Sequence, residues 1–178
     1  MGELTEDKKF GLVGTSCAGK TTTALKIASQ LKEDGYNADL IHNQDRRLPF
    51  DREYLDTDIF AQYWCIFNQI AKECEVVVGR PEKIVVTDRT PLDFYAYGQY
   101  QYGSDRDIWY TIRDWISMTY DTVFYLDPLE LEQDGARPDD EFRLGVDAVI
   151  QELLEECPNA EMIERKEIYP FIIDEVEK

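Results

Sequence analysis

A chain of 178 residues, 43% hydrophobic and 12% aromatic, is sized for one domain, 1–178, with a full core, and its apolar runs are too short to span a bilayer. A net charge of −18, from 37 acidic against 19 basic side chains, opposes nucleic acid and anionic membrane surfaces unless basic groups are gathered locally. The first nine residues lack the basic-then-apolar pattern of a secretory signal, and Cys17, Cys65, Cys74 and Cys157 show no metal-ligand spacing, so a cytoplasmic location with reduced thiols is expected.

The first predicted element is a strand over 9–13. It runs into Gly14-Thr15-Ser16-Cys17-Ala18-Gly19-Lys20-Thr21, which has the G-x-x-x-x-G-K-T spacing of a phosphate-binding loop. The two glycines let the backbone curl so that successive N–H groups point inward at a phosphate. Lys20 is expected to reach the β/γ-phosphates, and the Thr21 hydroxyl to take a Mg2+ position. A helix predicted over 22–31, opening at Thr22, adds the positive end of its dipole to the same anion site. Gly14 to Thr22 are therefore the expected cofactor-binding residues.

A turn at Gly35 leads into a second strand ending at His42, and the polar residues 43–55, with Pro49, read as a loop at that strand's carboxyl end. Within it Asp45 is placed to take a proton from an attacking hydroxyl, and Arg46 or Arg47 to neutralise phosphate charge. Residues 57–73 carry Ile59, Phe60, Tyr63, Trp64, Phe67 and Ile70 at helical spacing, capped by Asp56 or Thr57. Most of these rings are expected in the core, but Trp64 offers a face for stacking on a flat base and Gln69 an amide to read its edge.

Residues 81–88 read as a buried strand that delivers Asp88 and Arg89 to the carboxyl edge of a sheet. There Asp88 is suited to hold Mg2+ directly or through water, and Arg89 to clamp a phosphate. A further element starts at Pro91, and the tyrosine-dense run 95–103 reads as a half-buried flank. A helix over 104–119 and a strand over 122–126 follow. The segment 133–143, with Gly135, Arg137 and Arg143, suits a lid that carries positive charge over the phosphates. A helix over 140–156 and a final strand within 162–173 complete the chain. Strands alternating with helices predict an α/β fold, three layers with a mostly parallel central sheet and helices on both faces, binding ligands at the strands' carboxyl ends.

The loop at 14–22, the Thr87-Asp88-Arg89-Thr90-Pro91-Leu92-Asp93-Phe94 run, and Asp134-Gly135-Ala136-Arg137 with Arg143 together resemble the small P-loop kinases. The likeness covers residues 9–150 and is nearest the group holding the nicotinamide riboside kinase domain, deoxynucleoside and thymidylate kinases, and phage-encoded nucleotide or DNA-base kinases. It implies ATP and Mg2+ as cofactors, Asp45 as a base after the second strand, Asp88 and Arg89 as the acid–arginine pair, and Arg137 and Arg143 as lid arginines. The loop after the second strand departs from the Glu-containing signature of the deoxynucleoside kinases, which leaves the base between Asp45 and Asp88. No adenine-binding signature marks the C-terminal strand, so ATP over GTP rests on the resemblance.

The resulting expectation is a Mg2+-dependent kinase moving the γ-phosphoryl of ATP to a nucleoside, nucleotide or modified base. Arg46, Arg47, Trp64, Gln69 and Arg89 are the expected substrate contacts. Two alternatives stand beside it: a phage-type kinase acting on 5-hydroxymethyluracil in DNA, and a P-loop ATPase switch acting on a protein partner. DNA as substrate and a homodimer stay open; a membrane partner is not expected.

Overall fold

Among the described residues, five strands in the order β2-β3-β1-β4-β5, every pairing parallel, make the frame. They are β1 (Lys8–Val13), β2 (Ala38–Ile41), β3 (Ile84–Asp88), β4 (Thr122–Tyr125) and β5 (Ala160–Glu161). The structure, a computed structural model, describes residues 7–43, 48–78, 83–129 and 140–178. Helices lie in the crossovers, α1 (Lys20–Glu33), α2 (Tyr54–Thr57), α3 (Ile59–Val77), α4 (Pro91–Tyr102), α5 (Arg106–Thr119) and α6 (Asp140–Leu154), and α7 (Ile168–Val176) follows β5.

Alternation along the strands sends side chains into two separate cores, because successive residues of a strand point to opposite faces. Phe10 and Leu12 of β1 join Ile84, Val86 and Phe124 against α1 and α7. Val13, with Val123 and Tyr125 of β4, joins the other core, built with Ile66, Leu92, Trp109, Ile112, Ile116 and Ile150 from α3 to α6. Helices therefore cover both faces, and the predicted three-layer α/β fold is what the chain adopts.

Local chemistry explains most of the boundaries. Asp58, not Asp56 or Thr57, caps α3 by accepting from the Phe60 N–H at 2.9 Å; the two expected caps lie in the short turn α2. The capping box of Thr90 and Asp93, followed by Pro91 at the first helical position, starts α4.

The strand expected within 162–173 is absent: the last strand is Ala160–Glu161, and Ile168–Val176 is helical. The run Ile168-Tyr169-Pro170-Phe171-Ile172-Ile173 is apolar enough to pass for a buried strand. Ile168 and Ile172, one helical turn apart, are the pair buried against the sheet, and Pro170 falls in the first turn, where its missing N–H costs nothing.

One glycine sets how closely the layers approach. A Cβ on Gly11, in the middle of β1, would lie 2.6 Å from Thr90 Cγ2 and 2.8 Å from Tyr120 Cε1. Replacing Gly11 with Ala should cost about 2 kcal/mol by overpacking, read as a lower urea midpoint at unchanged m-value.

Candidate functional site

Register brings the site together. Leu12 of β1 pairs with Asp88 of β3 and Val13 with Tyr125 of β4, so the loop that leaves β1 and the acid that ends β3 emerge side by side at one edge. The loop passes into α1 through Gly19, at φ 75°, a left-handed conformation that glycine adopts without penalty. Here α1 begins at Lys20, two residues before its expected start, so the helix N-terminus and its unpaired N–H groups sit at the loop itself.

A cleft of about 320 Å³ opens over this edge, lined by residues 16–22 together with Asn43, Arg52, Asp88 and Arg89. The two residues expected to hold a metal meet there: Thr21 Oγ1 donates to Asp88 Oδ2 at 2.7 Å. Asp88 is 2% exposed, and its Oδ1 is buried without a hydrogen-bond partner among the described residues. A buried carboxylate oxygen left over beside a threonine hydroxyl is the donor set a hard divalent cation takes. The residues present therefore fit Mg2+.

Lys20 is 6% exposed, and its Nζ donates to the carbonyls of Gly14 and of Thr15, the latter at 2.7 Å. It also lies 3.7 Å from Asp93 Oδ1, and the same carboxylate oxygen accepts from the Gly14 N–H at 3.2 Å. Burial pushes the Lys20 ammonium below its usual range, helped by the Arg89 guanidinium and opposed by Asp93. Burial likewise raises Asp93, against the charges of Lys20 and Arg89. Asp93 thus has two tasks, half of a capping box and the counter-charge of the loop lysine. The Thr-x-x-Asp spacing from Thr90 is a sequence signal for the first only.

Arg89 lines the cleft as expected, with its guanidinium 5.5 Å from the Phe94 ring centre and 5.4 Å from that of Tyr97. Its backbone stands at φ 93°, rare for a residue with a side chain. The Tyr97 hydroxyl accepts from the Ser16 N–H at 2.8 Å, so one residue of the tyrosine-dense run is part of the loop's support. Burial raises the Tyr97 phenol, but Arg89, Lys20 and the contacts with Ser16 and Thr15 outweigh it and leave it below its usual value. Arg165, just before α7, also reaches the loop, donating from Nη2 to the Ala18 carbonyl at 2.7 Å. No sequence signal marks Arg165, which is far along the chain from the loop it braces.

Other expected site residues lie elsewhere. Arg143 opens α6, and its guanidinium is buried, donating to the Leu129 carbonyl at 2.8 Å and to Asp140 at 3.0 Å. It meets the loop through its backbone carbonyl, which accepts from Thr15 Oγ1 at 3.0 Å. Residues 140–143 of the expected lid are thus the first turn of a helix.

Trp64 is half-buried, edge-on to Phe50 with ring centres 5.7 Å apart, and is packed against the α3–α6 core. Gln69 is fully buried, its amide donating to Glu73 at 3.0 Å and to the Arg89 carbonyl at 3.3 Å. Neither Trp64 nor Gln69 lines the cleft. Asp45, Arg46, Arg47 and Arg137 fall outside the described residues.

The family model described as AAA domain matches residues 9–168. The chain belongs to this AAA domain family. No curated protein matches its sequence. Among solved structures, this AAA domain is similar to deoxyadenosine kinase from M. mycoides with bound dATP, at 16% identity over 96% of this chain and 100% of that one, TM-score 0.64. The same kinase with dCMP and dCDP matches at 16% identity over 95% and 98% of the two chains, TM-score 0.64. The YorR protein from Bacillus subtilis, in complex with phosphorylated GDP, matches at 19% identity over 96% of each chain, TM-score 0.60. These likenesses show the fold. No described helix is long and apolar enough to cross a membrane.

The positive φ of Arg89 is open to a direct check. Arg89→Gly and Arg89→Ala both remove the guanidinium, but only glycine adopts φ 93° freely. The glycine variant should be the more stable by about 1 kcal/mol in urea denaturation.

Proposed function

We propose that this AAA domain is an ATP-dependent kinase that passes the γ-phosphoryl group to a nucleoside or nucleotide. The observation that carries the reading is the Thr21–Asp88 hydrogen bond at the mouth of the phosphate loop, with a second carboxylate oxygen beside it that has no partner among the described residues. Phosphoryl transfer needs positioning and charge balance more than covalent help, and the cleft supplies both. The loop amides and Lys20 hold the donor, while Arg89 balances charge at the same edge. Thr21 and Asp88 would hold Mg2+, which when bound neutralises the charge of the triphosphate. Asp45 and Asp88 remain the two candidate bases. A nucleoside or nucleotide acceptor is supported by the deoxyadenosine kinase, bound to dATP or to dCMP and dCDP, and by YorR, bound to phosphorylated GDP, on the same fold.

The deciding experiment presents γ-labelled ATP with Mg2+ and a panel of nucleosides, nucleoside monophosphates, modified bases and duplex DNA containing 5-hydroxymethyluracil. Label should move to one free nucleoside or nucleotide, with slow hydrolysis when no acceptor is present. Label on the duplex alone would assign the DNA-base activity instead, and turnover stimulated only by a protein would make the chain a switch.

Lys20→Ala should lower transfer at least a hundredfold, and Asp88→Asn similarly, with far-ultraviolet circular dichroism unchanged. Thiol labelling gives an independent readout of the donor site. Cys17 lines the cleft and should be protected from maleimide by Mg2+·ATP, whereas exposed Cys74 should react regardless. Cys157, buried and with its thiol pushed up to about 11 by desolvation first and Glu156 second, should stay unlabelled at pH 8.

A further inference from the structure

Beneath the cleft lies a polar cluster that contributes no atom to the cleft lining. Glu73 of α3, 1% exposed, accepts four hydrogen bonds from three elements and the turn after α5. Lys9 Nζ of β1 donates at 2.8 Å and Trp115 Nε1 of α5 at 2.7 Å to one carboxylate oxygen. The Tyr120 hydroxyl donates at 2.5 Å and Gln69 Nε2 at 3.0 Å to the other. Lys9 is itself held by Thr119 Oγ1 at 2.7 Å and lies 3.9 Å from the centre of the Tyr120 ring. A carboxylate so surrounded cannot turn without breaking several charge-assisted bonds at once.

The Gln69 amide group has two N–H donors, and both are committed: one to Glu73, the other to the Arg89 carbonyl at 3.3 Å. The residue at that carbonyl is the one held at φ 93°, and its guanidinium lies over Phe94 and Tyr97 at the cleft wall. A backbone conformation that rare persists only where its surroundings over-determine it. A leucine at position 69 would fill the same volume in this core but could not hold the carbonyl.

We propose that Gln69, anchored by Glu73, is a positioning residue for Arg89, fixing the turn after β3 so that the guanidinium faces the bound phosphates. This rests on the nucleotide-binding part of the reading above. It also gives Gln69 a task other than contact with an acceptor base.

The test is a double-mutant cycle of Gln69→Leu and Arg89→Ala, read as the Kd for Mg2+ with a non-hydrolysable ATP analogue by calorimetry, with melting temperatures recorded alongside. Each single variant should weaken binding about tenfold, and the double variant no more than Arg89→Ala alone. The melting temperature should drop with Gln69→Leu in both backgrounds, so a purely structural loss is told apart by its additivity in Kd. Gln69→Met replaces Gln69→Leu in the cycle if the leucine variant does not fold. Additive losses, as direct contact of Gln69 with a ligand would produce, overturn the inference, and so does an unchanged Kd for Gln69→Leu. A wild-type chain that does not bind the analogue overturns this inference and the proposed function together.

Discussion

The pairing of Leu12 with Asp88 is the constraint on which the site depends. Because β1 lies between β3 and β4 and all run the same way, the phosphate loop and the acid must leave the sheet at one edge, within reach of each other. A shift of the pairing by one residue would turn Asp88 to the other face and separate it from Thr21. Gly11, also in β1, allows the same alignment from beneath, since any larger side chain would push Thr90 and Tyr120 away from the strand. The Thr21–Asp88 hydrogen bond is therefore a product of strand packing before it is a product of site chemistry.

A second theme is where a chain of net charge −18 gathers its positive charge. Positive groups are gathered around one short loop: Lys20, Arg52 and Arg89 line the cleft, and Arg165 braces the Ala18 carbonyl from behind. The loop's backbone N–H groups and the α1 N-terminus add fixed dipoles that need no charged residue at all. The acid most deeply placed among them, Asp93, is engaged by the Gly14 and Thr90 N–H groups and faces Lys20. Charge elsewhere on the surface is screened by salt over a distance of about 10 Å, so the local arrangement outweighs the total.

The legible and illegible residues divide along physical lines. The meeting of the loop at 14–21 with Asp88 and Arg89 at one edge is legible because it depends on spacing along the chain and on ending a strand. Trp64 and Gln69 carry the aromatic face and the amide by which bases are recognised, which is why their residue types suggest substrate contacts. Their lining of a core rather than the cleft depends on which side of α3 meets the sheet, and helical spacing alone does not say what lies opposite. Arg143 carries a charge of the kind a phosphate needs, but at the start of α6 it is engaged by Leu129 and Asp140. Tyr97 and Arg165 gave no signal because their partners are main-chain groups, and every residue has those.

By itself the sequence determined the class of fold and the anion site. Periodicities of two and of about 3.6 are properties of consecutive residues, and the phosphate loop is one contiguous octapeptide. Tertiary structure alone decided what supports that site: that α7 is a helix, that Asp93 faces Lys20, and that Glu73 reaches Arg89 through Gln69. Those outcomes depend on contacts between residues far apart in the chain, where packing of whole elements, and not local preference, sets which groups meet.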